Sequence, residues 1–174
     1  ERLLSFINLV EIHVLSAIRR EHEIPLQKVR RALLTLQRII PSRHALAEQR
    51  FKTDGATLFV ERYGQLMDLS QQGQIVMREV LDCYLQRIEW ASDGIALRLY
   101  PFTRKLQLDE PKTVMIDPEI QFGRPVLAGT GIPTAVIAER YKAGESIQGL
   151  AKDYGRTPDE ISEAIRCELP LQAA

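Results

Sequence analysis

Apolar residues recur every three or four positions near the start of the chain, a spacing that predicts two helices. The segments SFINLVEIHVLSAIRREH and EIPLQKVRRALLTLQRII each place most of their apolar side chains on one face. Pro25 suits the first turn of the second helix and Pro41 ends it. The basic side chains of the second helix lie away from its apolar face, so this helix presents a basic surface to solvent.

After Pro41 the pattern predicts strands. Asp54-Gly55 stands between Phe51-Lys52 and the apolar run Leu58–Val60, which is a strong short-range signal for a hairpin. A third strand is predicted at Leu66–Leu69. We expect these segments to form a small sheet, or wing.

Helical spacing returns in GQIVMREVLDCYLQRIEW, through Val76, Val80, Tyr84 and Ile88. A closing strand is predicted at Ile95–Tyr100. The next stretch, TRKLQLDEPKT, is polar and contains a proline, so we place a linker at residues 106–113.

The remaining chain predicts a short strand, a hairpin bent by glycine and proline, and three short helices. The first helix begins near Pro133 and the second ends at Gly155. The third begins at Pro158, with Thr157 as N-cap of a capping box.

The expected fold class is therefore mainly α with small β elements. It comprises a winged-helix-like region at residues 1–105 and, at residues 114–170, a helix-turn-helix-like three-helix bundle. The chain opens with ERLLSF, without methionine and already in a helical pattern. We therefore expect a segment to precede Glu1 in the natural protein.

Composition describes a globular protein with segregated charge. Of 174 residues, 45% are apolar and 26% charged, and Lys plus Arg equals Asp plus Glu at 23 each. Residues 19–52 hold nine basic and three acidic side chains, whereas residues 111–174 hold seven and nine. The sequence thus predicts a basic surface near the start and a mildly acidic C-terminal part.

The two cysteines and the short apolar runs indicate the cellular compartment of the protein. Cys83 and Cys167 are far apart and outside any metal or redox motif, which indicates reduced thiols. Charges interrupt every apolar stretch well before the roughly 20 residues that a membrane span needs. We expect a cytoplasmic protein without a membrane partner.

The sequence motifs give little support to an enzymatic function. The glycine-rich AGTGIP lacks the lysine of a phosphate loop, and Pro133 removes a backbone amide at the helix start. Gly123 and Gly129 instead permit positive φ, and Pro125 and Pro133 fix the direction of the chain, so the stretch is interpreted as a structural turn.

The titratable side chains form no catalytic pattern either. His13, His22 and His44 lie in or beside the first two helices, without a spacing typical of a triad or a metal site. Asp117 and Glu119 are two apart in an extended segment and are expected to be solvated. The sequence therefore predicts a binding protein that uses no cofactor or metal.

Two surfaces are candidates for binding. The last two predicted helices have the spacing of a helix-turn-helix unit, but the second of them is acidic and would repel phosphates, so we assign it to a protein partner. Its candidate residues are Asp159, Glu160, Glu163 and Arg166.

The N-terminal basic region is the other candidate. It is either a solvated polar face or a surface that contacts the backbone of duplex DNA. Its residues are Arg19, Arg20, Lys28, Arg30, Arg31, Arg38 and, near the tip of the predicted hairpin, Lys52.

The stretch DPEIQFGRPVLAGTGIPTAVIAERYKAGESIQGLAKDYGRTPDEISEAI resembles a small bacterial domain found in VapB-like antitoxins. The likeness rests on Gly123-Arg124-Pro125, on Gly129-Thr130-Gly131-Ile132-Pro133 and on the turn at Gly155. Gly131 departs from the pattern, because members often carry arginine there.

The segment LSFINLVEIHVLSAIRREHEIPLQKVRRAL is similar to the later helices of a MerR-type winged-helix domain, which would place the DNA-reading helix before Glu1. The two resemblances imply an antitoxin that masks a PIN-type ribonuclease toxin and represses its own operon. Operators read by helix-turn-helix proteins are commonly palindromic, so a homodimer is expected. The alternative is a stand-alone transcriptional regulator whose C-terminal module serves dimerisation.

Overall fold

The structure is a computed structural model that describes residues 4–20, 26–36, 40–67, 70–104 and 109–169. Within these residues the chain is mainly helical, with two small antiparallel sheets, which confirms the expected fold class. It forms two compact units, Glu1–Leu97 and Arg98–Ala174.

In the described residues of the first unit there are four α-helices. They are α1 (Phe6–Arg20), α2 (Leu26–Leu36), α3 (Ala56–Met67) and α4 (Gln71–Leu85). Helix α1 packs against α4, and α3 packs against both α2 and α4. The core contains three buried rings in series: Phe51 and Phe59 meet edge to face with centroids 6.2 Å apart, and Phe59 stacks on Tyr63 at 5.8 Å.

The hairpin predicted around Asp54-Gly55 is wrong. Phe51–Gly55 form a turn of π-helix that continues into α3, and Lys52 lies in this turn rather than at a hairpin tip. Helix α3 also takes the start of the strand predicted at Leu66–Leu69, whose last two residues lie outside the described residues. A helix brings the three rings to one buried face, and their burial outweighs the local turn preference.

The end of the first unit follows the sequence more closely. Val80 and Tyr84 of α4 are buried as predicted, but Val76 is exposed and Met77 takes the inward position. Ile88 lies beyond the helix, in strand β1 (Ile88–Trp90). Strand β1 pairs with β2 (Ala96–Leu99), which confirms the predicted closing strand.

The described part of the second unit, residues 98–104 and 109–169, joins short strands to three α-helices. Strand β3 (Val114–Met115) pairs antiparallel with β4 (Val126–Leu127), and Leu99 bridges Ile116. The helices are α5 (Thr134–Lys142), α6 (Ile147–Tyr154) and α7 (Pro158–Glu168). Their shared core contains Leu127, Ile137, Leu150, Ala151, Ile161 and Ala164.

The predicted helix boundaries of this unit are confirmed. Gly155 ends α6 in the left-handed region, at φ 61°, where glycine is favoured. Thr157 caps α7, Pro158 is its first residue, and Glu160 completes the capping box. These signals act over one helical turn, so the sequence alone locates them.

Residues that the sequence assigns to the first region and to the linker fold with the second unit. Glu110 is buried, and its carboxylate accepts hydrogen bonds from the backbone N–H groups of Thr103 (2.6 Å) and Arg104 (2.9 Å). Further along, Ala128 N donates to Thr113 O at 2.8 Å. The described part of residues 98–113 thus belongs to the second unit.

Candidate functional site

A turn between β3 and β4 displays a phenylalanine to solvent. Three consecutive residues of this turn have positive φ: Gln121 (49°), Phe122 (57°) and Gly123 (76°). Glycine adopts this region freely, whereas other residues pay about 1–2 kcal/mol each. Phe122 is 97% exposed. The fold therefore holds a large apolar ring in water on a strained backbone.

A buried carboxylate anchors the start of this turn. Asp117 Oδ2 accepts a hydrogen bond from Arg98 Nε at 2.8 Å, and Oδ1 accepts from Glu119 N at 2.9 Å. The carbonyl oxygen of Asp117 accepts from Ile120 N at 3.0 Å. The expectation that Asp117 is solvated is thus wrong. Its oxygens accept hydrogen bonds from Arg98 and from the backbone, and of the two side chains Asp117 is buried whereas Glu119 is exposed.

The AGTGIP stretch forms the neighbouring turn. Thr130 Oγ1 donates to Leu127 O at 2.8 Å and accepts from Ile132 N at 3.0 Å. Gly129 has φ 72°, which explains its glycine, whereas Gly131 has open space where a Cβ would lie. Polar groups of the stretch are used inside the turn, as the interpretation of a structural turn requires.

The two turns are fixed to each other and to α5. Gln121 Nε2 donates to Gly131 O at 3.2 Å. At the other end, Thr134 N donates to Pro125 O at 3.0 Å, and Pro133 bridges Val126. A shallow pocket of about 530 Å³ lies beside them. It is lined by Arg98, Met115, Ile120, Gly129, Thr130 and Gly131.

Helices α6 and α7 have the expected helix-turn-helix arrangement around Gly155, with Arg156 N donating to Ala151 O at 2.9 Å. The predicted acidic surface of α7 is smaller than expected, however. Asp159 is exposed, and Glu160 and Arg166 are half-buried. Glu163, which we expected to be exposed, is buried.

Glu163 is the centre of an ion-paired cluster. Its carboxylate accepts hydrogen bonds from Arg104 (Nε to Oε1, 2.8 Å; also Nη2), from Arg166 Nη1 and from Thr103 Oγ1. Burial by itself would raise the pKa of Glu163, but the hydrogen bonds from Arg104, Thr103 and Arg166 outweigh burial and lower the pKa below its usual value. Glu163 thus joins α7 to the start of its own unit and is not a solvent-facing partner residue.

The structure describes only part of the basic region. Arg30 and Arg31 are exposed on α2, and Lys52 is half-buried in the π-helical turn. The other candidate side chains lie outside what the structure describes: Arg19, Arg20, Lys28 and Arg38. Neighbouring exposed arginines are therefore seen at Arg30 and Arg31, and the wider basic surface stays a prediction.

The described histidines serve packing and surface pairing. His13 Nε2 lies 3.0 Å from Tyr84 O, and burial lowers the pKa of His13 to about 4, so its ring is neutral at pH 7. Exposed His44 Nδ1 lies 3.0 Å from Glu11 Oε2. Burial also keeps the free thiol of Cys167 uncharged, because it raises the pKa of that thiol to about 11.

Two negative findings apply to the described residues alone. Among them, no group of three or more His, Cys, Asp or Glu side chains is placed to hold a metal ion. No described helix is both long enough and apolar enough to cross a membrane.

Phe122 is not among the residues predicted from the sequence, because the glycine and proline of QFGRP indicate a turn and say nothing about the exposure of the ring. A large apolar residue directly before a turn glycine, between polar neighbours, was the available signal. The partners of Glu163 are not predicted from the sequence either, because Arg104 lies 59 residues away and periodicity carries no information about such pairs.

Likenesses to a protein family, to a named protein and to a solved structure bear on the function. The profile of the family described as "Protein of unknown function (DUF433)" matches residues 114–166. The Mycobacterium tuberculosis protein named "Putative antitoxin VapB45" is 33% identical over 174 residues, which cover 93% of this chain and 70% of that protein. The crystal structure of Rv2018 from Mycobacterium tuberculosis superposes with a TM-score of 0.69 at 29% identity, covering 94% of this chain and 78% of that one.

The VapB45 likeness extends over both compact units and is not confined to the DUF433 segment. It agrees with the resemblance seen in the glycine- and proline-rich motifs of the second unit. The chain therefore belongs to the family of VapB-like antitoxins.

Proposed function

We propose that the protein is the antitoxin of a bacterial type II toxin-antitoxin system. It binds and neutralises a PIN-type ribonuclease toxin and represses its own operon by binding operator DNA as a homodimer. The observation that carries this proposal is the 33% identity to a protein named as an antitoxin along 93% of the chain.

In this proposal one unit contacts DNA and the other contacts the toxin. The first unit contacts DNA, supported by the exposed Arg30 and Arg31 on α2. The planar guanidinium group of arginine is suited to phosphate contacts. The second unit contacts the toxin, supported by the exposed ring of Phe122 and by Asp159 on α7.

A stand-alone transcriptional regulator is the second candidate, with the second unit serving dimerisation. The helix-turn-helix arrangement of α6 and α7 favours it, because this arrangement is common in transcription regulators. The two candidates differ in whether a toxin exists. A regulator binds its operator without any effect on a ribonuclease.

The test begins with co-expression of this protein and the product of the adjacent open reading frame. If the proposal holds, the neighbour alone stops growth, and the pair grows and co-purifies. The purified neighbour should then degrade RNA, and adding this protein in a defined stoichiometry should stop the degradation. A harmless neighbour that elutes separately would contradict the antitoxin function and favour the regulator.

A further inference from the structure

We propose that Phe122 is the anchor of the toxin interface, and that its ring inserts into an apolar pocket on the toxin. The inference rests on the proposed function, because it names the surface through which the second unit meets its partner. The partner is a protein with an apolar pocket the size of a phenyl ring. A carboxylate of the partner lies beside that pocket and faces Arg124.

Exposure of the ring is the first argument. Phe122 is 97% exposed, although a phenylalanine side chain gains stability from burial and the second unit has a packed core of its own. The backbone is also unfavourable at this residue, because φ is 57°. A residue that costs stability in two ways is typical of a functional position.

Rigidity of the turn is the second argument. The residues on both sides of the ring are tied down: Ile120 N bonds to Asp117 O, Gly123 N bonds to Ile120 O, and the side chain of Gln121 bonds to Gly131 O. A pre-ordered anchor loses little conformational entropy when it binds. The turn therefore presents the ring as a fixed projection.

The neighbours of the ring indicate the kind of partner. Glu119, Gln121 and Arg124 are exposed close to Phe122 along the chain, so charged and polar side chains flank the ring in sequence. This composition is typical of interfaces between different proteins, where an aromatic anchor fills a pocket, whereas homodimer interfaces are more apolar. Arg124, two residues from the anchor, supplies the charge that a carboxylate beside the pocket would complement.

A pocket beside the turn extends the proposed toxin-binding surface. The shallow pocket of about 530 Å³ includes Ile120 and Gly131, which the Gln121 hydrogen bond joins to the anchor turn. It is open to a side chain from the partner. The interface would then consist of a ring that projects and a concavity next to it.

The test replaces the ring without disturbing the turn. In the full-length protein, Phe122→Gly suits the positive φ, so the variant should be at least as heat-stable as the wild type while losing the anchor. Phe122→Asn is the second variant, because asparagine tolerates this backbone region and keeps the turn stiffer than glycine does. Val136→Ala is the control, since Val136 is 46% exposed on α5 of the same unit.

The measurement is the Kd for the toxin encoded by the adjacent open reading frame, taken by calorimetry. Both Phe122 variants should weaken binding at least about thirtyfold, as removal of an interface hot spot does, and Val136→Ala should change it by less than about threefold. Toxin affinity within threefold of wild type in both Phe122 variants would overturn the inference while leaving the proposed function intact.

Two further outcomes are distinguishable. If Phe122→Gly converts a dimer to a monomer and leaves toxin affinity unchanged, the ring belongs to a contact with a second copy and the inference is overturned. If the wild-type protein does not bind the neighbour at all, the proposed function fails and the inference fails with it.

Discussion

Substituting Glu163 tests whether the ion-paired cluster stabilises the second unit. Glu163→Gln keeps the shape of the side chain and removes its charge. The amide nitrogen can take the place of Oε2, where it faces the Thr103 hydroxyl, a group that accepts as well as donates. Arg104 and Arg166 both bind Oε1, so they keep an acceptor but lose the negative charge. The substitution thus breaks two ion pairs while keeping neutral hydrogen-bond partners.

The expected loss follows from burial. The Glu163 side chain is 3% exposed, but those of Arg104 and Arg166 are 36% and 28% exposed, so water can solvate both guanidinium groups after the change. Breaking a fully buried pair costs about 3–5 kcal/mol, and a hydrogen bond to a charged group contributes about 1.5–3 kcal/mol. We therefore expect a loss of about 2 kcal/mol, which in a unit of this size lowers Tm by roughly 8–16 °C.

Hydrogen exchange followed by mass spectrometry isolates the effect, because peptides from α6 and α7 report on the second unit and peptides from α3 serve as internal reference. The control is Glu139→Gln, which removes an exposed carboxylate whose side chain is 72% exposed and pairs with Lys142. Such a pair contributes at most about 1 kcal/mol, so exchange in α6 and α7 should change little.

The pH dependence gives a second check. The folded-state pKa of Glu163 is lowered, so its stabilisation is present above the unfolded-state value of about 4.3 and is lost as pH falls through the folded-state pKa. The gap between wild type and Glu163→Gln should therefore close in acid. A variant within about 0.5 kcal/mol of wild type at pH 7, or a gap that stays constant down to pH 3, would refute the reasoning.

A helix cap, a buried histidine and two exposed arginines can each be tested by substitution. Thr157→Ala removes the cap of α7 and should cost about 1 kcal/mol by hydrogen exchange of that helix, whereas no loss would contradict the role of the capping box. His13 has a folded-state pKa of about 4 against 6.5 in the unfolded state, so the first unit should lose up to about 3 kcal/mol of stability as pH falls from 6.5 to 4. Urea titrations followed by the fluorescence of Trp90 measure this loss, and the stability of His13→Gln should depend less on pH. Replacing Arg30 and Arg31 by alanine should reduce the slope of log K against log salt for operator DNA by about 0.9 per lost phosphate contact, and an unchanged slope would remove them from the interface.

The second unit was more predictable from sequence than the first because its signals are local. Thr157, Pro158 and Gly155 set helix ends within one turn, and the structure places those ends where the sequence does. In the first unit, Asp54-Gly55 favours a hairpin locally, but burial of Phe51 and the rings after it decides for a helix. Tertiary packing overrode a short-range preference there.

The candidate site was predicted less well than the fold. Periodicity placed Glu163 on an outer face of α7, and only the folded chain shows Arg104 and Thr103 covering it. The conformation of Phe122 was similarly hidden, because the glycine after it suggested a turn without indicating that positive φ begins at Gln121. Contacts distant in sequence and the backbone angles of single residues are not encoded in hydrophobic spacing.

The cluster around Glu163 also bears on how this module can pass from one protein to another. A gene fragment that begins at Val114 would carry Glu163 without Thr103 and Arg104, and without the strand residue Leu99 that bridges Ile116. Its host would have to replace Thr103 and Arg104, or leave the buried carboxylate with Arg166 but without the hydrogen bonds that those two residues donate. The smallest piece that can be recombined or grafted intact therefore starts near Arg98, well before the segment that the DUF433 profile matches.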